Sequence, residues 1–232
     1  MAFREIVAPT VKELFIQQLE GMILSGELRP GDRLPTEREL ADEMKISKTV
    51  VHEGLRELHR LGFLDIASRR GVTVADYAQT GSLETLRAIM DFHGGLPDAK
   101  TAGSILQLRY YLEGPAMEEL AARNTPADMA ALQALQRQAE QAAQEGTDAL
   151  AEALFRYHRG INFLSGNTIT PLLFNAFTRV NLEFWKEYIQ LTGIDRCLER
   201  LAQFTAHIEA GEGQAASSLL RQGLEQFITQ VR

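Results

Sequence analysis

The chain has 232 residues, 45% of them hydrophobic, with 24 Lys+Arg against 31 Asp+Glu and a formal net charge of −7. That length suits one large or two modest domains with a buried core, and no apolar run approaches the roughly 20 residues needed to span a bilayer. A lone Cys197 rules out an internal disulfide framework and zinc-finger spacing, as expected in a reducing cytoplasm, and the opening MAFREIVAPT has no apolar signal-peptide core.

Thr10 and Glu13 stand three apart as a capping-box pair and predict a helix from about Val11 to Ser25. Gly26 to Leu34 reads as a Gly/Pro loop. Thr36 and Glu39 repeat the capping pattern ahead of a helix whose Leu40, Ala41 and Met44 share one face. Ser47 is an N-cap for the next helix. There Val51, Leu55 and Leu58 point inward, while Lys48, His52 and Arg56, with Thr49 beside them, fall on another face. Gly54 within this helix predicts a weakening of up to about 1 kcal/mol. Phe63 to Ile66 and Val72 to Val74 read as two short strands joined by Ser68, Arg69, Arg70 and Gly71. Residues 1–78 balance to −2 and the rest to −5, yet residues 45–71 hold six basic against three acidic side chains. Phosphate attraction follows that local charge. Two helices, a tight turn and a basic-tipped hairpin form the order of a DNA-reading head.

Beyond about Asp76, strand signals nearly vanish. Helices are predicted over 82–92, 104–123, 126–144, 147–164, 170–191, 194–210 and 212–231, broken by Gly, Asn and Pro. The expected fold is mainly α. A winged helix-turn-helix domain (1–76) with one β-hairpin leads through a short connector (77–81) to an all-α bundle (82–232) of six or seven helices.

The head resembles the winged helix-turn-helix of GntR-type bacterial transcription regulators. The resemblance lies in Leu28, Pro30, Gly31, Leu34, Pro35, Thr36, Glu37, Arg38, Leu40 and Ala41, then Ser47, Thr49, Val51 and Leu55, then Arg70, Gly71 and Val74. It implies DNA contacts from Arg38, Ser47, Lys48, Thr49, His52, Arg69, Arg70 and Gly71. Lys48 and His52 stand where that pattern prefers arginine, so a bidentate fork becomes a point charge and a fixed charge becomes a titrating one. Affinity then falls from pH 6 to 8 if charged His52 meets phosphate.

The bundle resembles the effector domain of the FadR subfamily through Leu-Arg-x-x-Leu-Glu at 108–113, Arg-Gly followed by Ser-Gly-Asn at 159–167, and Gly-Glu-x-x-x-Ala at 211–216. This implies a homodimer on a pseudo-palindromic DNA operator, controlled by a small acidic metabolite or an acyl-CoA in the bundle. Arg109, Tyr110, Glu113, His158, Asn167, Arg179 and Trp185 are the candidate effector-binding residues, with Tyr111, Arg159 and Asn175 beside them. Many relatives of this subfamily hold a divalent metal through an Asp and three His. Here His158 matches one His, but Leu154, Leu201 and Gln222 occupy the other positions, so no metal or other cofactor is expected. Arg109 and Glu113 at i, i+4 equally suit a structural ion pair. Two other readings are a ligand-independent repressor with a vestigial pocket and an acyl-CoA-processing enzyme with an appended head. The enzyme reading lacks a Ser-His-Asp set, a phosphate loop and a metal cluster.

Overall fold

The computed structural model describes residues 8–67, 71–92 and 99–230. Among these it holds twelve helices and one two-stranded antiparallel sheet, and the chain divides into two compact units, 1–92 and 93–232.

Local signals build the first unit. Helix α1 (Val11–Leu24) opens at a capping box: Thr10 Oγ1 accepts from the Glu13 N–H, and the Thr10 N–H donates to the Glu13 carboxylate at 2.7 Å. Two donors at the helix end are thereby satisfied. Thr36 and Glu39 do the same for α2 (Glu37–Met44). Lys45 ends α2 in the left-handed region, φ 53°, and Ser47 caps α3 (Lys48–Arg60) by accepting from the Val50 N–H. Strand β1 (Leu64–Ala67) pairs with β2 (Gly71–Val74), with Leu64 opposite Val74 and Ala67 opposite Gly71. One core gathers Phe15 and Leu19 of α1, Leu40 of α2, Val51, Leu55 and Leu58 of α3, and Leu64 and Val74 of the hairpin.

Two short helices, α4 (Tyr77–Thr80) and α5 (Leu83–Phe92), close this unit. The sequence places 82–92 with the bundle and reads 77–81 as a plain connector. Instead α4 forms there, and α5 packs on the head. Thr85 and Met90 are buried, the Phe92 ring lies 3.2 Å from where a Cβ on Gly21 would stand, and Glu84 meets Arg60 of α3 at 2.7 Å. An amphipathic helix must bury its stripe, and α1 offers the nearest face.

The second unit consists of α6 (Ala99–Arg123), α7 (Pro126–Ala142), α8 (Thr147–Leu164), α9 (Thr170–Ala176), α10 (Thr178–Thr192), α11 (Ile194–Glu209) and α12 (Gly213–Gln230). Helices α6 and α12 pack backbone to backbone. A Cβ on Gly213 would lie 2.6 Å from the Glu118 Cα, and one on Gly114 2.9 Å from Ser217 Oγ. The single helix predicted over 170–191 is two. Thr178 Oγ1 donates to the Asn175 carbonyl at 2.7 Å and Asn181 Nδ2 to that of Phe177 at 3.0 Å. Side chains that satisfy carbonyls locally compete with the helical ladder. At this break Phe174 stacks on Phe155, with centroids 5.5 Å apart.

Candidate functional site

On α3 the buried residues are Val51, Gly54, Leu55 and Leu58; Lys48, Thr49, His52 and Arg56 are exposed together. The Ser47 hydroxyl caps the same helix end. Arg38 on α2 is 87% exposed and only 3.8 Å from Asp42. A helix start rich in short polar and cationic side chains can meet base edges and phosphates. His52 is not free: its Nδ1 lies 2.7 Å from Glu37 Oε1, tying α3 to α2. Gly71 opens β2 at φ 80°, whereas Arg69 and Arg70, expected to contact DNA, lie outside the described residues.

Arg33 is a cation that sequence reasoning missed. It bridges to Thr73 as a third rung beside the hairpin, and its guanidinium lies 3.3 Å from where a Cβ on Gly71 would be. Only a contact between distant residues makes it part of the wing. Gly54 also changes meaning. A Cβ there would stand 2.3 Å from the Phe15 ring, so the residue read as a weak point in α3 is what lets α1 seat against it.

Four of the seven bundle candidates converge. Arg109 Nε donates to Glu113 Oε2 at 3.0 Å, and His158 Nδ1 bonds the other carboxylate oxygen. All three are buried. The Arg109 guanidinium lies 4.3 Å from the Trp185 ring centre, and the His158 ring packs on Trp185 at 4.8 Å. Burial opposes ionisation of Glu113, but His158 and Arg109 outweigh it and hold the carboxyl below its usual range. Burial pushes the His158 imidazole down. The neutral ring then donates Nδ1–H to Glu113, and the Arg109–Glu113 pair carries no net charge.

Two donors at this centre, Arg109 Nη2 and Trp185 Nε1, are buried without a hydrogen-bond partner among the described residues. Both residues line a cavity of about 30 Å³ with His158, Leu154, Leu201 and Phe204. Buried polar atoms are rarely left unsatisfied, because each costs about 1–3 kcal/mol.

The other three candidates lie elsewhere. Tyr110, one position on from Arg109 and so a quarter-turn round α6, faces Arg221 of α12, 5.8 Å from ring centre to guanidinium. Asn167 accepts from the Ile169 and Thr170 N–H groups at 2.9 and 3.1 Å and so shapes the entry to α9. Arg179 is exposed, as is Arg159, which reaches Asn175 at 3.5 Å. Residue type had suggested all of these; helical phase separates them.

A divalent cation does not suit the centre. Leu154 and Leu201 line the cavity beside His158 but offer no lone pair, Gln222 is exposed, and Glu113 already balances Arg109. No cluster of three or more His, Cys, Asp or Glu among the described residues could hold a metal. Nor is any described helix long and apolar enough to cross a membrane.

A helix-turn-helix with a β wing, followed by an all-helical unit with a buried polar centre, defines a two-part DNA-binding regulator. Residues 12–74 match the bacterial regulatory proteins of the gntR family and residues 104–226 match the FCD domain. The chain belongs to the FCD-bearing branch of the GntR family, and its likeness is to the FadR type. It is 31% identical over 132 residues to the transcriptional regulator Mce2R of Mycobacterium tuberculosis, covering 57% of this chain and 54% of that protein. It is 30% identical over 163 residues to the fatty acid metabolism regulator protein of Shewanella denitrificans, covering 67% of this chain and 62% of that one. The match therefore spans little more than half the length of these relatives. A solved structure of Lar, described as controlling the agr system of Listeria monocytogenes, aligns at TM-score 0.61 and 14% identity, over 97% of this chain and 98% of that one. That likeness concerns the fold alone.

Proposed function

We propose that the protein is a ligand-controlled transcription regulator acting as a cytoplasmic homodimer, and not an enzyme. The α3 face and the wing bind a pseudo-palindromic operator, through Arg38, Ser47, Lys48, Thr49 and the wing residues Arg69, Arg70 and Gly71, with Arg33 at the wing's base. A small acidic metabolite in the bundle sets DNA affinity by binding one conformation better than another.

One observation carries the effector reading: Arg109 Nη2 and Trp185 Nε1, two buried donors without acceptors, border one cavity. A ligand oxygen would satisfy what the protein leaves unsatisfied. The cavity's size argues against an acyl-CoA, since about 30 Å³ accommodates roughly two waters. The same size favours a second reading, a ligand-independent repressor. Ligand sites usually measure about 300–1,000 Å³.

The test selects bound duplexes from a random library with the full-length protein, then titrates the recovered duplex against small carboxylates. An inverted repeat whose affinity changes with one acid supports the proposal. Constant affinity with every acid favours the second reading, and recovery of no common sequence defeats both.

A further inference from the structure

Arg109 is one of the cations the sequence offers for the cavity, but Glu113 neutralises it. A second arginine lines the same cavity. Arg200 of α11 borders it with Tyr188, Phe227 and Gly223 and is half-buried. Its Nη1 donates to Tyr188 Oη at 2.7 Å. It forms no ion pair among the described residues.

The surroundings are shaped to hold it there. A Cβ on Gly223 would stand 2.3 Å from Arg200 Nη1, so α12 is cut away where the guanidinium passes. Tyr188 is wedged edge-on between Trp185 at 5.6 Å and Phe227 at 5.4 Å, which fixes its hydroxyl before Arg200. A neutral phenol is a weak partner for a guanidinium; a carboxylate forms charge-assisted, often bidentate bonds. With Arg109 balanced and His158 neutral, the lining carries about one positive charge, on Arg200.

We infer that Arg200 is the residue that selects an anion, and that the ligand is a short monocarboxylate displacing the Tyr188 hydroxyl from it. Arg109 Nη2 and Trp185 Nε1 then serve as neutral-site donors to an inner oxygen. Phe184, Phe204 and Leu220 enclose the short apolar body. Room for roughly two waters, widened by the place the Tyr188 hydroxyl gives up, restricts the ligand to the smallest acids, acetate before propionate. This inference rests on the effector reading above and narrows it.

The test uses the full chain and its single tryptophan, Trp185, whose emission reports directly on the cavity. Acetate and propionate are titrated alongside acetamide and propionamide, their neutral counterparts, with thermal shift as a second readout. The acids are expected to bind the wild type and the amides to bind at least tenfold more weakly. Arg200→Met should weaken propionate at least tenfold, Arg200→Lys should recover part of the loss, and Tyr188→Phe should tighten binding by removing the competing hydroxyl. Should Arg200→Met fail to fold, the amide comparison and Tyr188→Phe still decide. Equal binding of acids and amides, or propionate binding unchanged in Arg200→Met, overturns the role of Arg200 while leaving the cavity a ligand site. No binding of either acid to the wild type overturns this inference; a response to some other acid in the operator titration would leave the broader reading standing.

Discussion

Among the described residues each unit buries one glutamate, Glu20 in the head and Glu113 in the bundle, and their surroundings differ in sign. Glu113 lies between Arg109 and His158 and stays ionised. Glu20, on α1, is raised to about 7 by burial and then by the carboxylates of Asp91 on α5 and Glu57 on α3. The bundle matches its buried charge with a cation, whereas the head buries an acid among acids. A buried pair that is complete is tolerated, and a buried acid without a cation stays protonated. The two units therefore respond oppositely to pH. His158 is depressed below the ordinary imidazole value of 6.5, so its contribution is present above that pH and is lost as pH falls. Glu113 adds a loss below about 4.5. Glu20 is raised, so its contribution is complete below about 4.5 and is lost as pH rises to about 7.

The largest effect should come from breaking the bundle's pair. Glu113→Ala leaves the Arg109 charge buried alone and should lower unfolding free energy by about 3–5 kcal/mol, measured by urea denaturation. Arg109→Met with Glu113→Leu should cost much less, because both charges leave together. If the single and double variants lose equal stability, the pair is not what balances the centre. Glu20→Gln should act in the other direction. It removes a proton-linked penalty and should stabilise the chain by roughly 2–3 kcal/mol at pH 8, with almost no gain at pH 4.5. A gain independent of pH would show that Glu20 does not titrate in the folded state.

The same contrast decides what could be read from the sequence. The head was legible because its instructions are contiguous. Thr10 with Glu13, Thr36 with Glu39, and Ser47 ahead of Val50 specify helix starts within three residues, and the structure uses all three. In the bundle Thr125 and Asp128 start α7 the same way, but at the polar centre only Arg109 and Glu113 are joined by a short spacing. The bonds and ring contacts that join them to His158 and Trp185 come from α8 and α10, and no spacing within either helix announces them. Arg200 is not among the candidates the sequence offers; the space left for it by Gly223 of α12 exists only after packing. Gly54 shows that the head too has a part that local rules misjudge. Alanine improves helix propensity by up to about 1 kcal/mol, yet its methyl would meet the Phe15 ring at 2.3 Å. Overpacking of this kind typically costs about 1–3 kcal/mol, so Gly54→Ala should lower Tm. A raised Tm would mean that Phe15 moves aside freely and that the glycine is only a weak point in the helix.

The smallest effect is expected at His52, and it separates a cation that holds the head together from one that faces DNA. His52 and Glu37 form an exposed pair, with side chains 52% and 32% accessible; such pairs contribute about 0–1 kcal/mol, so His52→Ala should barely change Tm. Lys48 on the same face is exposed and forms no ion pair among the described residues. If α3 meets phosphate, Lys48→Ala should reduce the slope of log affinity against log salt by about 0.9, one released counterion. His52→Ala should change that slope by less, because the imidazole is already engaged by Glu37. A loss at His52 equal to that at Lys48 would show the imidazole leaving Glu37 for phosphate.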